Sequence, residues 1–262
     1  IVDSISNTSL RMKKTSFITL VLLIITCNLL AQETPEELYN KAIELKKNNN
    51  CREALVLLEK ATTLKPDFGE AWLELGWCQN ELNNHQAAIV KLEKAKTLLS
   101  NNYRINYELG HAYYFLDSIA ISLKYLKEAI RLKSDYQPSL VGLGDLYKDK
   151  IKSTAEALSW YLKAYAIDST HKKINYWIGW CYNDMEKFDK AVPFLEKVIA
   201  ADPGNTLAII ELGFSLYSAE KYDQAIDILK NLPGVQPKPE LAIYYIGLCH
   251  VRKGDKTEAV NS

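Results

Sequence analysis

The sequence predicts an all-α solenoid of stacked antiparallel helix pairs. Three observations carry that expectation. Six Leu-Gly or Ile-Gly dipeptides, Leu75-Gly76, Leu109-Gly110, Leu143-Gly144, Ile178-Gly179, Leu212-Gly213 and Ile246-Gly247, recur at steps of 34, 34, 35, 34 and 34 residues. A period this regular is one structural unit copied along the chain. A small residue follows these glycines twelve places on, at Gly76/Ala88, Gly110/Ser122, Gly179/Ala191, Gly213/Ala225 and Gly247/Ala259. The apolar residues between them are spaced three and four apart, the helical period, and alternating strand-like runs are few.

Each unit reads as two helices whose small columns let them touch closely where they cross. In the first unit Ala42/Ala54 keeps the twelve-residue spacing, but Lys41-Ala42 replaces Leu-Gly, a polar change that suits an end unit facing water. In the second, Trp72, Leu75, Gly76 and Leu82 face inward, answered by Ala88, Leu92, Ala95 and Leu99 across the polar turn Asn83-Asn84-His85. Asn106 and Asn175 stand in the Trp72 column, so the helices carrying them are expected to pack less tightly. Gly144/Ala157 is thirteen apart, which puts the one extra residue in the turn from Lys150 to Ser153. Breakers mark turns between units at Lys65-Pro66-Asp67, at 201–205 and at Leu232-Pro233-Gly234, with Pro237 and Pro239 stiffening the last. Pro193 reads as lying near a helix start, where its missing N–H costs little. The last unit stops at Ser262, with too few residues for its second helix to hold itself. Either the natural protein continues or residues 255–262 fray.

The chain has 262 residues, with 32 Lys plus Arg against 32 Asp plus Glu. A net charge of zero argues against a phosphate-neutralising, nucleic-acid-binding surface. At the N-terminus, Met12-Lys13-Lys14 precedes an apolar stretch from Phe17 to Leu30 and then Ala31-Gln32, the pattern of a cleaved export signal over residues 12–31. The stretch is shorter than the roughly 20 residues that span a bilayer. Residues 1–11 read as upstream sequence. A membrane tether would require an uncleaved segment or a lipid on Cys27. Cys78, Cys181 and Cys249 share one column, two residues after a repeat Gly, and read as small buried residues. Cys51 is expected near Cys78, where a disulfide would suit an exported protein.

With these residues the chain resembles the tetratricopeptide repeat family. Trp72-Leu75-Gly76 with Ala88-Leu92-Ala95 matches the family unit. So do the first-helix triplets Leu109-Gly110-Tyr113, Leu143-Gly144-Tyr147 and Ile178-Gly179-Tyr182, and the second-helix sets Ala157-Tyr161-Ala164 and Ala191-Leu195-Val198 with Pro203. Units fall near 35–68, 69–102, 103–136, 137–171, 172–205, 206–239 and a partial 240–262, filling the segment 32–262. The resemblance implies a right-handed superhelix of about six full repeats and a truncated seventh, with first helices lining a concave face where partner peptides lie. The columns three residues before each Gly and one after it supply that face. Its candidate partner-binding residues are Tyr39, Leu73, Trp77, Tyr107, His111, Tyr176, Trp180, Ile210, Phe214 and Tyr244, with Tyr114 and Tyr217 as a third layer. Aromatic side chains of this kind anchor interfaces, and a contiguous exposed apolar strip marks a partner site. The Lys and Asn that bind C-terminal carboxylates in one branch of the family are absent here. Asp145, Lys148 and Asp149 form a polar break, read as solvated surface charge, with contact to a charged group of the partner as the alternative.

No catalytic constellation is visible. His85, His111, His171 and His250 lie in different units without metal-ligand spacing. Gly142-Leu143-Gly144 lacks the third Gly and the preceding strand of a dinucleotide loop. The expectation is therefore a non-catalytic, cofactor-free scaffold of the periplasm or cell envelope, binding a protein or peptide and no nucleic acid or small-molecule substrate. The alternative is an N-terminal sensor or docking region of a longer regulatory or enzymatic protein.

Overall fold

The computed structural model describes residues 33–232 and 239–255. They form thirteen α-helices: α1 Pro35–Lys47, α2 Cys51–Leu64, α3 Gly69–Glu81, α4 His85–Leu98, α5 Tyr103–Phe115, α6 Ile119–Leu132, α7 Gln137–Leu146, α8 Thr154–Ile167, α9 Lys172–Asp184, α10 Phe188–Ala201, α11 Thr206–Ser218, α12 Tyr222–Lys230 and α13 Glu240–Lys253. There is no strand among the described residues. Each odd-numbered helix packs on the even one that follows, and each pair stacks on the next. The result is a helical solenoid. Odd helices also touch their odd neighbours, as in α3 with α5, α5 with α7, α9 with α11 and α11 with α13. The proposed signal segment, Cys27 and residues 256–262 lie outside the described residues.

The chain enters the first helix through a capping box. Thr34 Oγ1 accepts from the Glu37 N–H and Glu37 Oε2 accepts from the Thr34 N–H, with Pro35 at the first helical position. Two orphan donors are satisfied there, and Glu36 and Glu37 sit at the positive end of the helix dipole. Within a pair, the helices are joined by one left-handed residue: Asn49, Asn83, Asp117, Lys152, Glu186 or Glu220, all with φ between 54° and 62°. The N–H after this residue returns to the carbonyl five back, for instance Asn84 to Gln79 and Lys187 to Tyr182. That is the Schellman closure. The extra residue of the fourth unit does not lengthen the turn. It is taken up as a π-helical stretch, Tyr147–Ile151, closed by Ser153 N–H to the Tyr147 carbonyl at 2.9 Å.

The small columns meet where the paired helices cross. A Cβ added at Gly76, Gly110 or Gly179 would lie 2.4, 2.7 or 2.7 Å from the Cγ of Leu92, Leu126 or Leu195 on the partner helix. At Gly144 the invader would be the Tyr161 ring, at 2.4 Å. Ala88, Ser122, Ala157, Ala191 and Ala225 are fully buried opposite, and the Ser122 hydroxyl donates to the Gly110 carbonyl at 2.7 Å. Gly76, Gly110, Gly144, Gly179 and Gly213 are thus each a socket for a large side chain of the second helix.

A second regularity links one pair to the next. The residue four places after the small column reaches the residue two places before the next repeat glycine. Lys46 pairs with Glu74, which Arg104 also contacts at 2.9 Å. Asn80 Nδ2 donates to Glu108 Oε2 at 2.9 Å and to its carbonyl at 3.0 Å. The Lys148 ammonium lies 3.9 Å from the Trp177 ring centre. Asn183 Nδ2 donates to Glu211 Oε2 at 3.0 Å, and the Tyr217 and Tyr245 rings are 5.8 Å apart. At the third junction Tyr114 faces a position held by Gly142, where the partner side chain is missing. Burial shapes the charges on this ladder. It pushes the Glu108 carboxyl up to about 7 and the Lys46 ammonium down to about 8.

Two sequence expectations are corrected, and the reading of the cysteines as small buried residues holds without the Cys51–Cys78 disulfide. Asn106 and Asn175 do not loosen their helices. Both are buried, and they donate to the Asn102 carbonyl and to those of Ser169 and His171, the task that the Trp72 indole performs on Pro66. Pro193 lies past the first turn of α10, so the Asp189 carbonyl loses its intrahelical donor. Cys51, Cys78, Cys181 and Cys249 are free buried thiols, although Cys51 and Cys78 share one apolar cluster.

Two predictions follow from these contacts. In an open helix Gly→Ala stabilises by about 1 kcal/mol, but at Gly179 the Leu195 socket makes overpacking, worth about 1–3 kcal/mol, the larger effect. Gly179→Ala is expected to lower the urea midpoint, and to lower it less in a Leu195→Ala background. Glu108 keeps its proton in the fold up to about pH 7, while in the unfolded chain it ionises near its ordinary 4.5. The native state therefore binds more protons between these values. The carboxyl's contribution to stability is full below about pH 4.5, falls as pH rises towards 7 and is flat above. The difference amounts to about 3 kcal/mol at most. Denaturation curves of wild type and Glu108→Gln should diverge over that window, with the variant lacking the decline.

Candidate functional site

The odd helices α5, α7, α9, α11 and α13 carry two neighbouring cavities. The first, of about 230 Å³, lies among α5, α7 and α9. Tyr107, His111, Tyr114 and Phe115 line it from α5, Gly142 and Asp145 from α7, Asp149 from the π-turn, and Lys173 and Trp177 from α9. The second, of about 390 Å³, runs from Trp180 and Asn183 on α9 past Phe188 to Ile210 and Phe214 on α11 and Leu241 and Tyr245 on α13. Trp177 and Trp180 are one helical turn apart, with ring centres separated by 6.0 Å. Helix α9 is therefore the wall that both cavities share.

The first cavity exists because of Gly142. At the equivalent rung Glu74, Glu108, Trp177, Glu211 and Tyr245 place large side chains between neighbouring odd helices; here the nearest side chains, Leu126 and Tyr107, stand 3.1 and 3.8 Å from where a Cβ would be. Its polar groups are tied together. Tyr114 donates to Asp149 Oδ2 at 2.6 Å, and Lys148 also pairs with Asp149. Tyr161, pushed through from α8 at the Gly144 socket, donates to Asp145 Oδ1 at 2.6 Å, while Lys173 reaches Asp145 Oδ2 at 3.0 Å. Burial works to raise the Asp149 carboxyl, but the bonds from Lys148 and Tyr114 outweigh it and hold the group below its ordinary range. Burial pushes His111 down to about 4, so its ring is neutral at neutral pH. The ring nitrogens His111 Nδ1 and Trp177 Nε1 have no hydrogen-bond partner among the described residues.

The structure brings together Tyr107, His111 and Tyr114 in the first cavity, and Trp180, Ile210 and Phe214 in the second. Tyr217 packs on Tyr245 behind the latter, and Tyr176 packs on Trp177 at 4.9 Å. Tyr244 is exposed on α13. Tyr39 and Trp77 stand apart at the N-terminal end. Tyr39 lies against Phe68 at 5.0 Å, and Trp77 lies under the Lys46 ammonium at 3.7 Å. Leu73 is a correction: only 3% exposed, it belongs to the apolar core with Ala88 and Ile105 and offers nothing to a partner. Its column sits on the border between the outer face and the contact to the next pair, and in α3 the stacking covers it. Asp145, Lys148 and Asp149 are a second correction. They are half-buried members of the cavity network and not solvated surface charge. Sequence reasoning missed Phe115, Leu126, Gly142, Lys173 and Trp177 in one cavity, and Phe188, Leu241 and Tyr245 with the polar groups Asn183, Asp184, Glu186 and Glu211 in the other. The legible signal was the column two residues before each glycine, where Gly142 interrupts a series of large side chains. Among the described residues no group of His, Cys, Asp or Glu could hold a metal ion, and no helix is long and apolar enough to cross a membrane.

Comparison with known proteins agrees with this architecture. Models described as tetratricopeptide repeat match residues 39–102, 103–136 and 183–243. No curated protein matches the sequence. Among solved structures the chain is similar to Pseudomonas aeruginosa pilF, with 16% identity over 80% of this chain and 96% of that one and a TM-score of 0.70. It is also similar to the C-terminal part of a repeat-containing protein from Cytophaga hutchinsonii, with 17% identity over 84% and 91% and a TM-score of 0.68. YrrB, described as a TPR protein with an unusual peptide-binding site, is 25% identical over 66% of this chain and 89% of its own, with a TM-score of 0.51. With matches over most of its length and helix pairs stacked at a 34-residue period, the chain belongs to the tetratricopeptide repeat family.

Proposed function

We propose that this protein is a non-catalytic scaffold that grips an extended segment of a partner protein along its odd-helix face. The repeat fold by itself points to protein–protein interaction. The observation that supports the finer reading is the pair of cavities sharing α9. Packed helices are about 8–10 Å apart, and extended chain advances about 3.3 Å per residue. Two cavities one helix apart therefore suit side chains about three residues apart on one peptide. Both walls set aromatic rings, Tyr and Trp among them, beside carboxylates, and Tyr and Trp are among the side chains that anchor interfaces most strongly. The peptide-binding site for which YrrB is described is a precedent within the fold. The apolar stretch Phe17–Leu30 after Lys13-Lys14 supports export, and the proposed setting is the periplasm or cell envelope, with the partner a component of an envelope assembly.

The full chain, used to capture its partner, should lose at least tenfold in affinity on Trp180→Ala or Phe214→Ala with the unfolding midpoint little changed. Val90→Ala, on the exposed side of α4, should bind like wild type. Capture that survives both odd-helix substitutions would remove the groove from consideration. For the setting, the mature N-terminus read by mass spectrometry should fall after Ala31, in an exported fraction.

A further inference from the structure

Both cavities set carboxylates beside aromatic rings, Asp184, Glu186 and Glu211 in the second, but the cavity beneath Gly142 is the smaller and brings two carboxylates together from one helix and its π-turn. Asp145 and Asp149 are four residues apart along α7 and its π-turn, so both carboxylates face the same side. Of the ionisable groups that line the cavity, two are these carboxylates and one is the Lys173 ammonium, a formal excess of one negative charge. His111 adds none. Lys173 is also the most exposed of the three, with its side chain 54% accessible against 21% for Asp145. An ion pair that open is weak and exchangeable. The wall itself already holds a cation: Lys148 stacks 3.9 Å from the centre of the Trp177 ring and pairs with Asp149 from the side that does not line the cavity. The volume of about 230 Å³ matches one long side chain and is below the roughly 300 Å³ at which small-molecule sites begin.

We propose that this cavity is the specificity pocket of the groove and receives an arginine side chain of the bound segment. The planar guanidinium fits between Tyr107, Tyr114 and Trp177, and its fork of donors reaches Asp145 and Asp149 together. Arginine is the residue suited to this by being planar, weakly hydrated and permanently charged. It replaces Lys173 on Asp145, and Lys173 is released to solvent. Lysine fits less well, since a compact ammonium reaches one carboxylate at a time and loses more hydration. Glutamate is repelled, and leucine gains no charge pairing.

The inference rests on the odd-helix face being the docking surface, and the two readings fail separately. The groove fails if partner capture survives Trp180→Ala and Phe214→Ala; the pocket fails on the ranking of defined peptides, whatever the natural partner is. The probes are acetylated, amidated five-residue Ala/Ser peptides with a central Arg, Lys, Gln, Leu or Glu. They are titrated into the full chain while the Trp177 indole N–H resonance is followed, that resonance being assigned with Trp177→Phe. The expected result is a shift with the Arg peptide at least tenfold tighter than with the Leu and Glu peptides, Lys falling between. Asp149→Asn and Asp145→Asn, which keep the shape and the Tyr acceptors, should each weaken the Arg peptide about tenfold without moving the Gln and Leu peptides. Gly142→Ala, which narrows the cavity, should weaken it while leaving the unfolding midpoint near wild type. Equal or tighter binding of Leu or Glu, no binding of any peptide, or an Arg affinity unmoved by both Asn variants would each overturn the proposal.

Discussion

The close approach of two helices at a residue without a side chain is the contact on which this architecture depends. Each repeat glycine from Gly76 to Gly213 accepts a leucine, or at Gly144 a tyrosine, into a space that a methyl group would occupy. The contact sets the spacing and crossing of the helices in a pair, and the pair sets where the next one lands. A stacked array gains stability from such neighbour contacts, and no single unit buries its apolar face alone. The left-handed residue that ends every first helix serves the same end by reversing the chain over one short turn. At five of those turns the residue is Asn, Asp or Glu and at one it is Lys, so the stack imposes the conformation where local preference is weakest, at Glu186, Glu220 and Lys152.

Between pairs the joint is not one fixed chemistry but one fixed position. The same two columns meet six times, and they hold an ion pair, two amide–carboxylate contacts, a cation over an indole, a pair of tyrosines and one vacancy. Buried polar joints are expensive unless satisfied. Asn80 and Asn183 satisfy theirs by bonding both the side chain and the backbone of the glutamate opposite. Of the six rungs among the described residues, the one at Gly142 lacks a partner side chain. Its cavity is lined by groups that the neighbouring rungs and Tyr161 have already oriented. Structure and the proposed recognition are thus variations on one repeated contact.

Much of this was legible in the sequence. The spacing of Leu75-Gly76 through Ile246-Gly247 announced the unit, the small residue twelve on announced the crossing, and Tyr107, His111, Tyr114, Trp180 and Phe214 were placed on the face that now carries the cavities. Leu73 was misplaced because helical periodicity gives a residue an angle around its own helix, while burial also depends on how far the next pair leans over it. Asp145 and Asp149 were read as solvated because the groups that hold them, Tyr161, Tyr114 and Lys173, come from three other helices. Asn106 and Asn175 were read as defects because their column was judged by side-chain size, whereas their role is a local one, donating to carbonyls four to six residues back at the start of the same helix.

The sequence by itself determined the helix pair, its number of copies and the side of each helix that looks inward. All three follow from periodicities within one unit, which local sterics and apolar spacing encode. The tertiary structure alone decided which columns of successive units face each other, that the rung at Gly142 is empty, and that two tryptophans one turn apart divide the face into two cavities. Those facts depend on the lean and offset between neighbouring pairs. That geometry is the sum of many side-chain contacts across the stack and is written in no single stretch of chain.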